Sequence, residues 1–450
     1  MQYEIVCPIN DVQLMVKNIS SIFKIFTAEF IILLLQILTS VFVARYLGPN
    51  ALGLYVILLM IPAYLEAIGR SYLDYSAVYF VANRKENLAN VLYLVNCMSV
   101  IMVVVLTVAF VSYFDVIKQL LFSATVLDFT AMMAAALLIF PLRLLYVTYS
   151  LMLQATQQFQ KYNIMFIMQG VLTSILIIVF TVIFKGSLLS LLLANVFGII
   201  PTIIYGMIVI HKKHKPLVRF NSVLFYEMVK VSIGQYVYNF VTFLKLNIGS
   251  LLLMLFAGPS QVAFFNIGKT MADGITRLVP TAVNTVIYPE MSQQIDSDKT
   301  MSLLTESYRV ILVLLVLTAV PVLFISKVLI TSIYGIEYGS AVVPFNITLI
   351  SYVLYRASLI FVSYFSAVGR TRVLAGLMVP GPILQVALFI GFFSGSGAYG
   401  ASISLLIGVI FTHTIILTYF LIFEDCKVTH FVPRSSDIKV LSGWLTGFVK

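Results

Sequence analysis

The sequence predicts an all-α integral membrane protein of twelve spans arranged as two lobes of six. Three observations carry this expectation. Of 450 residues, 61% are hydrophobic and only 10% charged, with a mean hydropathy of +1.03; a soluble domain has about 25% charged residues. The apolar runs are long enough to cross a hydrocarbon core, which takes about 20 helical residues. Two Gly-Pro turns, Gly48-Pro49 and Gly258-Pro259, lie 210 residues apart, and each precedes a ladder of charges in an otherwise apolar stretch. Glu66, Arg70 and Asp74 form the first ladder; Lys269, Asp273 and Arg277 form the second. A four-residue spacing places each ladder on one helix face. Charge inside a bilayer is costly unless it meets a partner or a water-filled cavity. A duplicated chain with a polar interior follows, an architecture that transporters use.

Taken in order, the spans fall at 22–46, 51–81, 89–113, 127–156, 162–184, 187–210, 226–256, 260–290, 304–326, 339–367, 371–394 and 398–422. Residues 1–21 mix Glu4, Asp11 and Lys17 with polar side chains. They do not read as a cleavable signal peptide, so the run from Ile22 is expected to be a retained first span. The N-lobe is 22–210 and the C-lobe 226–422, with a basic linker at 211–225 that opens HKKHKPLVRFN and a tail at 423–450. That tail is polar at first and ends in VLSGWLTGFVK, which reads as disordered or as a weak interfacial helix. Pro62, Pro141, Pro280 and Pro380 are natural places for a bend.

Lysine and arginine sort by loop. Eighteen fall with the termini and every second loop, against Arg45, Lys118, Lys185 and Lys327 on the other side. By the positive-inside rule both termini are cytoplasmic, and an odd number of spans would destroy the separation. The net charge of +10 is therefore a topology signal, aided by anionic lipid, and not a nucleic-acid patch. Cys7, Cys97 and Cys426 are too few and too scattered for a disulfide framework or a metal site.

The turn segments carry a family resemblance. ARYLGPNALGLYVI at 44–57 resembles the signature at the end of the first span in polysaccharide flippases of the multidrug/oligosaccharidyl-lipid/polysaccharide exporter superfamily. LQATQQFQKYN at 153–163 resembles the signature after the fourth span, and a third block runs from Lys245 to Ser292. The resemblance covers about residues 20–425 and is most specific in the first motif. It implies two lobes forming a V-shaped central cavity lined by spans 1, 2, 7 and 8. It also implies a polyprenyl-pyrophosphate-linked oligosaccharide as substrate, moved from the cytoplasmic to the periplasmic leaflet by alternating access for O-antigen or capsule synthesis. The setting implied is a bacterial inner membrane and an undecaprenyl pyrophosphate carrier. Expected partners are that lipid-linked substrate, membrane lipids, and a polymerase and chain-length regulator of the same pathway.

Six cations remain within the spans: Arg70, Arg143, Lys245, Lys269, Arg277 and Arg356. Four acids accompany them: Glu29, Glu66, Asp74 and Asp273. A surplus of Arg and Lys suits a pyrophosphate, whose water shell a cationic cavity can replace. The cations are thus the expected substrate ligands and the acids the expected gate or coupling groups. Glu29, alone on the first span, is the expected site for a coupling proton or Na⁺; no other cofactor and no metal centre is expected. Arg45, Gly48, Pro49, Gly258 and Pro259 are expected signature or hinge positions. The plainer alternative is that each ladder pairs within itself and braces a buried helix, with Arg143 satisfying carbonyls freed by Pro141. Lys245, without a local acid, is expected to face the cavity. Tyr236, Tyr238 and Tyr146 are candidates to stack on sugars.

Catalytic patterns are absent: there is no Walker loop, no pair of metal-ligating histidines and no nucleophile elbow. A multidrug antiporter of the same superfamily would favour surplus carboxylates. A membrane polymerase or ligase needs a large external loop, and the longest outer loop here is about 114–126. A flippase for a peptidoglycan precursor is a further alternative, commonly with a longer chain.

Overall fold

An apolar segment in lipid must satisfy its backbone internally, and the described residues are helical almost throughout. The computed structural model describes residues 12–70, 73–82, 86–122, 129–185, 187–213, 220–293, 297–424 and 426–434. Side chains are described from Phe30 onward in these segments, except at 73–75, at 82 and at several positions between 282 and 298. Glu29 and Asp74 therefore lie outside the described side chains.

In the first half, α1 (Val12–Gly69) carries span 1 and most of span 2, which α2 (Leu73–Ala82) completes. Span 3 is α3 (Leu88–Ser112), followed by the short α4 (Phe114–Leu121) within the expected outer loop. Spans 4 to 6 are α5 (Phe129–Ala155), α6 (Phe159–Ile183) and α7 (Leu188–His211). In the second half, α8 (Ser222–Phe256) is span 7, and α9 (Pro259–Thr276) with α10 (Leu278–Gln293) forms span 8. Span 9 is α11 (Ser297–Ile333), and span 10 is α12 (Val342–Ala357) with α13 (Leu359–Ala367). Span 11 joins α14 (Thr371–Met378) to α15 (Pro380–Leu388) and ends in a π-helical turn, Phe389–Phe393; α16 (Gly397–Phe423) is span 12.

Nine helical segments among the described residues are long and apolar enough to cross a membrane. Two of them are double, Phe30–Gly69 and Thr371–Phe423, because spans 1–2 and 11–12 are joined without a long loop. The eighth span does not qualify, since α9 carries Lys269 and Asp273 among polar neighbours. Twelve spans result.

The duplication is visible in the backbone. Gly48 has φ 73° and ψ 170°; Gly258 has φ 88° and ψ 175°. A Cβ at either position would touch nothing within 4 Å, so it is the positive φ that calls for glycine. Each is followed by a proline whose fixed φ starts the next helix without a wasted N–H. Each second span then breaks at an arginine: α1 ends just before Arg70, and α9 ends just before Arg277. Pro280 gives a reason for the second break, because it offers no N–H to the carbonyl of Thr276. Pro380 likewise separates α14 from α15. At Pro62 and Pro141 the helix runs on without interruption.

The two lobes meet chiefly where α1 crosses α9. At the Gly48 end the approach is very close: a Cβ on Gly53 would lie 1.8 Å from the Pro259 carbonyl oxygen. Tyr338 donates from its hydroxyl to the Ala44 carbonyl at 2.7 Å. Arg45 Nε donates to the Ile333 carbonyl at 2.7 Å, and its Nη2 to that of Ser332. Arg45 thus caps the carbonyl end of α11, where a cation also complements the helix dipole. The opposite, basic end holds a second buried cluster in which Leu224 and Met228 of α8 join Phe80, Leu92, Met152 and Ile203.

The tail departs from expectation at its start. Phe431 is buried against Tyr308, Phe361 and Phe420, and Arg309 Nη1 donates to the His430 carbonyl at 2.7 Å. Residues 426–434 are therefore packed on the C-lobe, because one aromatic side chain and one buried arginine anchor an otherwise polar stretch.

Candidate functional site: a matched ion pair in each lobe

Glu66 and Asp273 form their salt bridges outside their own ladders. Each reaches instead to the span two further along. Glu66 Oε2 accepts from Arg143 Nε of α5 at 2.5 Å. Asp273 Oδ1 accepts from Arg356 Nη2 of α12. The first pair joins spans 2 and 4, the second joins spans 8 and 10, so the ion pair is duplicated with the fold. The plainer alternative, pairing only within each ladder, does not hold for Glu66 and Asp273, and Arg143 does more than serve carbonyls freed by Pro141. Shared spacing shows that side chains lie on one face, but the helix packed against that face decides the partner.

The two pairs differ in cover. In the N-lobe the acid is the covered partner: Glu66 is 12% exposed and Arg143 48%. In the C-lobe the order reverses, with Arg356 at 14% and Asp273 at 32%. Arg356 also lies over the ring of Tyr355, 5.4 Å from its centroid. Lys245 of α8 sits over that same ring at 5.0 Å and is only 1% exposed. Lys245 was expected to face the cavity; it is buried in the C-lobe instead, where the aromatic face of Tyr355 receives its charge.

Lys269 and Arg277 form no salt bridge among the described residues. Lys269 Nζ donates to Asn247 Oδ1 at 2.8 Å, and Asn247 in turn donates to the Phe243 carbonyl at 2.9 Å. Arg277, at the break between α9 and α10, makes no side-chain hydrogen bond or ion pair among the described residues. Glu66 and Asp273 are bridged to Arg143 and Arg356; Lys269 interacts with Asp273 from one turn away, and Lys245 and Arg277 form no salt bridge among the described residues.

A cavity of about 140 Å³ lies where the N-lobe meets α8. Glu66, Arg70 and Arg143 line one side; Tyr236, Asn239, Phe240 and Phe243 line the other. Two hydrogen bonds from α8 hold the lobes together around it. Tyr236 donates to the Ile68 carbonyl at 2.9 Å, and Ser232 Oγ accepts from the Ser76 backbone N–H at 3.0 Å. Both satisfy backbone groups flanking the break in span 2. Of the tyrosines singled out, Tyr236 lines the cavity, whereas Tyr238 is buried. Asn239, Phe240 and Asn247 escaped notice because a lone amide or ring in an apolar helix has no distinguishing pattern. The 213-residue offset of Arg143 and Arg356 was the available signal for the duplicated pair.

Twelve spans in two matched lobes, with charges held between them, define a multi-pass membrane protein with a transporter fold. Solved structures agree. The lipid II flippase MurJ in an inward closed conformation matches with a TM-score of 0.67 at 17% identity, over 88% of this chain and 89% of that one. An inward-facing multidrug resistance MATE family transporter of the MOP superfamily matches at 0.65 and 12%, over 86% and 93%. A MOP superfamily transporter from Pyrococcus furiosus matches at 0.61 and 14%, over 89% and 94%. At such identities these likenesses establish the fold. No curated protein matches the chain significantly by sequence. The chain belongs to the polysaccharide biosynthesis protein family, whose model matches residues 16–295.

Proposed function

We propose that this protein is a flippase for a polyprenyl-pyrophosphate-linked oligosaccharide, working by alternating access between its two lobes. One observation carries the reading: Glu66 and Asp273 are bridged to Arg143 and Arg356, leaving Lys269 and Arg277 without a salt bridge among the described residues. A drug-cation site would need the opposite surplus. A diphosphate supplies the missing negative charge and accepts charge-assisted hydrogen bonds. Arg277, at the break in span 8, and Lys269, about two turns before it, are the ligands we assign first; Arg70 and Arg143 sit at the cavity between the lobes.

Family membership supports polysaccharide synthesis as the pathway. The basic loops support a cytoplasmic position for both termini and for the linker at 211–225, with spans 1–6 and 7–12 as the moving lobes. Transport then runs from the cytoplasmic to the periplasmic leaflet of a bacterial inner membrane, supplying repeat units for O-antigen or capsule. The incoming diphosphate competes with Glu66 and Asp273 for their arginines, and that exchange loosens one gate as the other forms. Proton or Na⁺ coupling through Glu29 belongs to the same proposal. Deleting the protein from its host is expected to accumulate lipid-linked repeat units on the cytoplasmic face. Normal export with no accumulation would rule the reading out.

A further inference from the structure

We propose that the cavity between the lobes is a monosaccharide subsite that holds one pyranose ring of the head group. The inference rests on the flippase reading and concerns the sugar, which the cations do not address.

Size is the first argument. A cavity of about 150 Å³ is known to hold a single six-membered ring such as benzene, and this one measures about 140 Å³. The space is of the order of one ring, and further sugars would lie outside it. Shape is the second. Tyr236 and Phe240, one turn apart on α8, stand with their rings 6.1 Å apart and within 6° of parallel. Both line the cavity. The faces of a pyranose carry C–H groups, which pack on an aromatic face while the hydroxyls point outward along the ring edge.

The edge of the cavity meets those hydroxyls with donors and acceptors together. Asn239 spends one N–H on the Gln235 carbonyl at 2.9 Å, which leaves its second N–H and its Oδ1 for a ligand. The Tyr236 hydroxyl, which donates to the Ile68 carbonyl, belongs to the same wall. Glu66 and Arg143 meet through one oxygen and Nε, and both residues line the cavity. Such a mixture reads a hydroxylated ring and would be left unsatisfied by an apolar one. Because α1 and α5 supply one wall and α8 the other, a bound ring touches both lobes.

Saturation-transfer NMR on the protein in lipid nanodiscs tests this. The probes are the methyl glycosides of glucose, N-acetylglucosamine and glucuronic acid, with inorganic pyrophosphate followed separately by phosphorus line broadening. At least one glycoside should receive saturation, and Phe240→Ala and Asn239→Ala should each weaken its binding about tenfold while pyrophosphate broadening persists. Asn239→Ala leaves the aromatic packing intact and keeps the test open should Phe240→Ala fail to fold. Absence of saturation for every glycoside, or wild-type transfer in both variants, overturns the subsite. Loss of pyrophosphate broadening in the unaltered protein, with glycoside transfer intact, would count against the diphosphate reading and not against the subsite.

Discussion

The N-lobe pair Glu66–Arg143 and the C-lobe pair Asp273–Arg356 are the same device placed in two surroundings. Both join the second and fourth spans of a six-helix repeat, and both tie an acid of a charge ladder to an arginine of a neighbouring helix. In the N-lobe the arginine is the exposed member, at the rim of a cavity shared with α8. In the C-lobe the arginine is covered, stacked on Tyr355 beside the buried Lys245. The lesson is that duplication preserved the contact and released its exposure. One copy leaves its arginine open at the cavity rim; the other covers its arginine beside a buried lysine.

If that contrast is right, the two acids differ in what their removal costs. Asp273→Ala should destabilise most, by about 3 kcal/mol, because it strands a covered arginine next to a buried lysine. Thermal unfolding of the purified protein measures this, and Asp273→Ala combined with Arg356→Leu should recover much of the loss. Gly53→Ala should come next. Its methyl group collides with the Pro259 carbonyl, an overpacking that costs about 1–3 kcal/mol. Thiol labelling of a Leu52→Cys reporter should rise as the Gly48 end is forced apart. Glu66→Gln should cost only about 1 kcal/mol, since Arg143 keeps access to water. Equal losses for Asp273→Ala and Glu66→Gln would erase the distinction between the lobes. Lys245→Met should be the mildest, neutral or slightly stabilising in the same assay, because a buried charge without an acid is replaced by a chain of similar volume.

Much of the architecture was legible beforehand. Hydropathy and loop charges located all twelve spans, and the paired Gly-Pro turns marked the repeat that Gly48 and Gly258 display in their backbone angles. The breaks were less legible. Pro280 and Pro380 do mark interruptions, yet Pro62 and Pro141 do not, because a proline frees a carbonyl without dictating how the neighbouring helices respond. The site was half legible. Ladder spacing identified Glu66 and Asp273 as members of polar faces, but their partners lie 77 and 83 residues away, on helices whose approach only packing determines. Lys245 shows the same limit: an isolated lysine in a span signals a polar neighbour, and an aromatic ring met that need in place of open water. Residues 426–434 were misread because a single phenylalanine in a polar tail gives no periodic signal.

The central claim is that Lys269 and Arg277 hold the diphosphate of the substrate. Its most direct test is the rate at which proteoliposomes translocate a lipid-linked oligosaccharide when they contain Arg277→Ala or Lys269→Gln. Both variants should unfold at the wild-type temperature, since neither breaks an ion pair. Each should translocate about tenfold more slowly, the loss expected for one charge-assisted hydrogen bond. Wild-type rates in both variants would contradict the account.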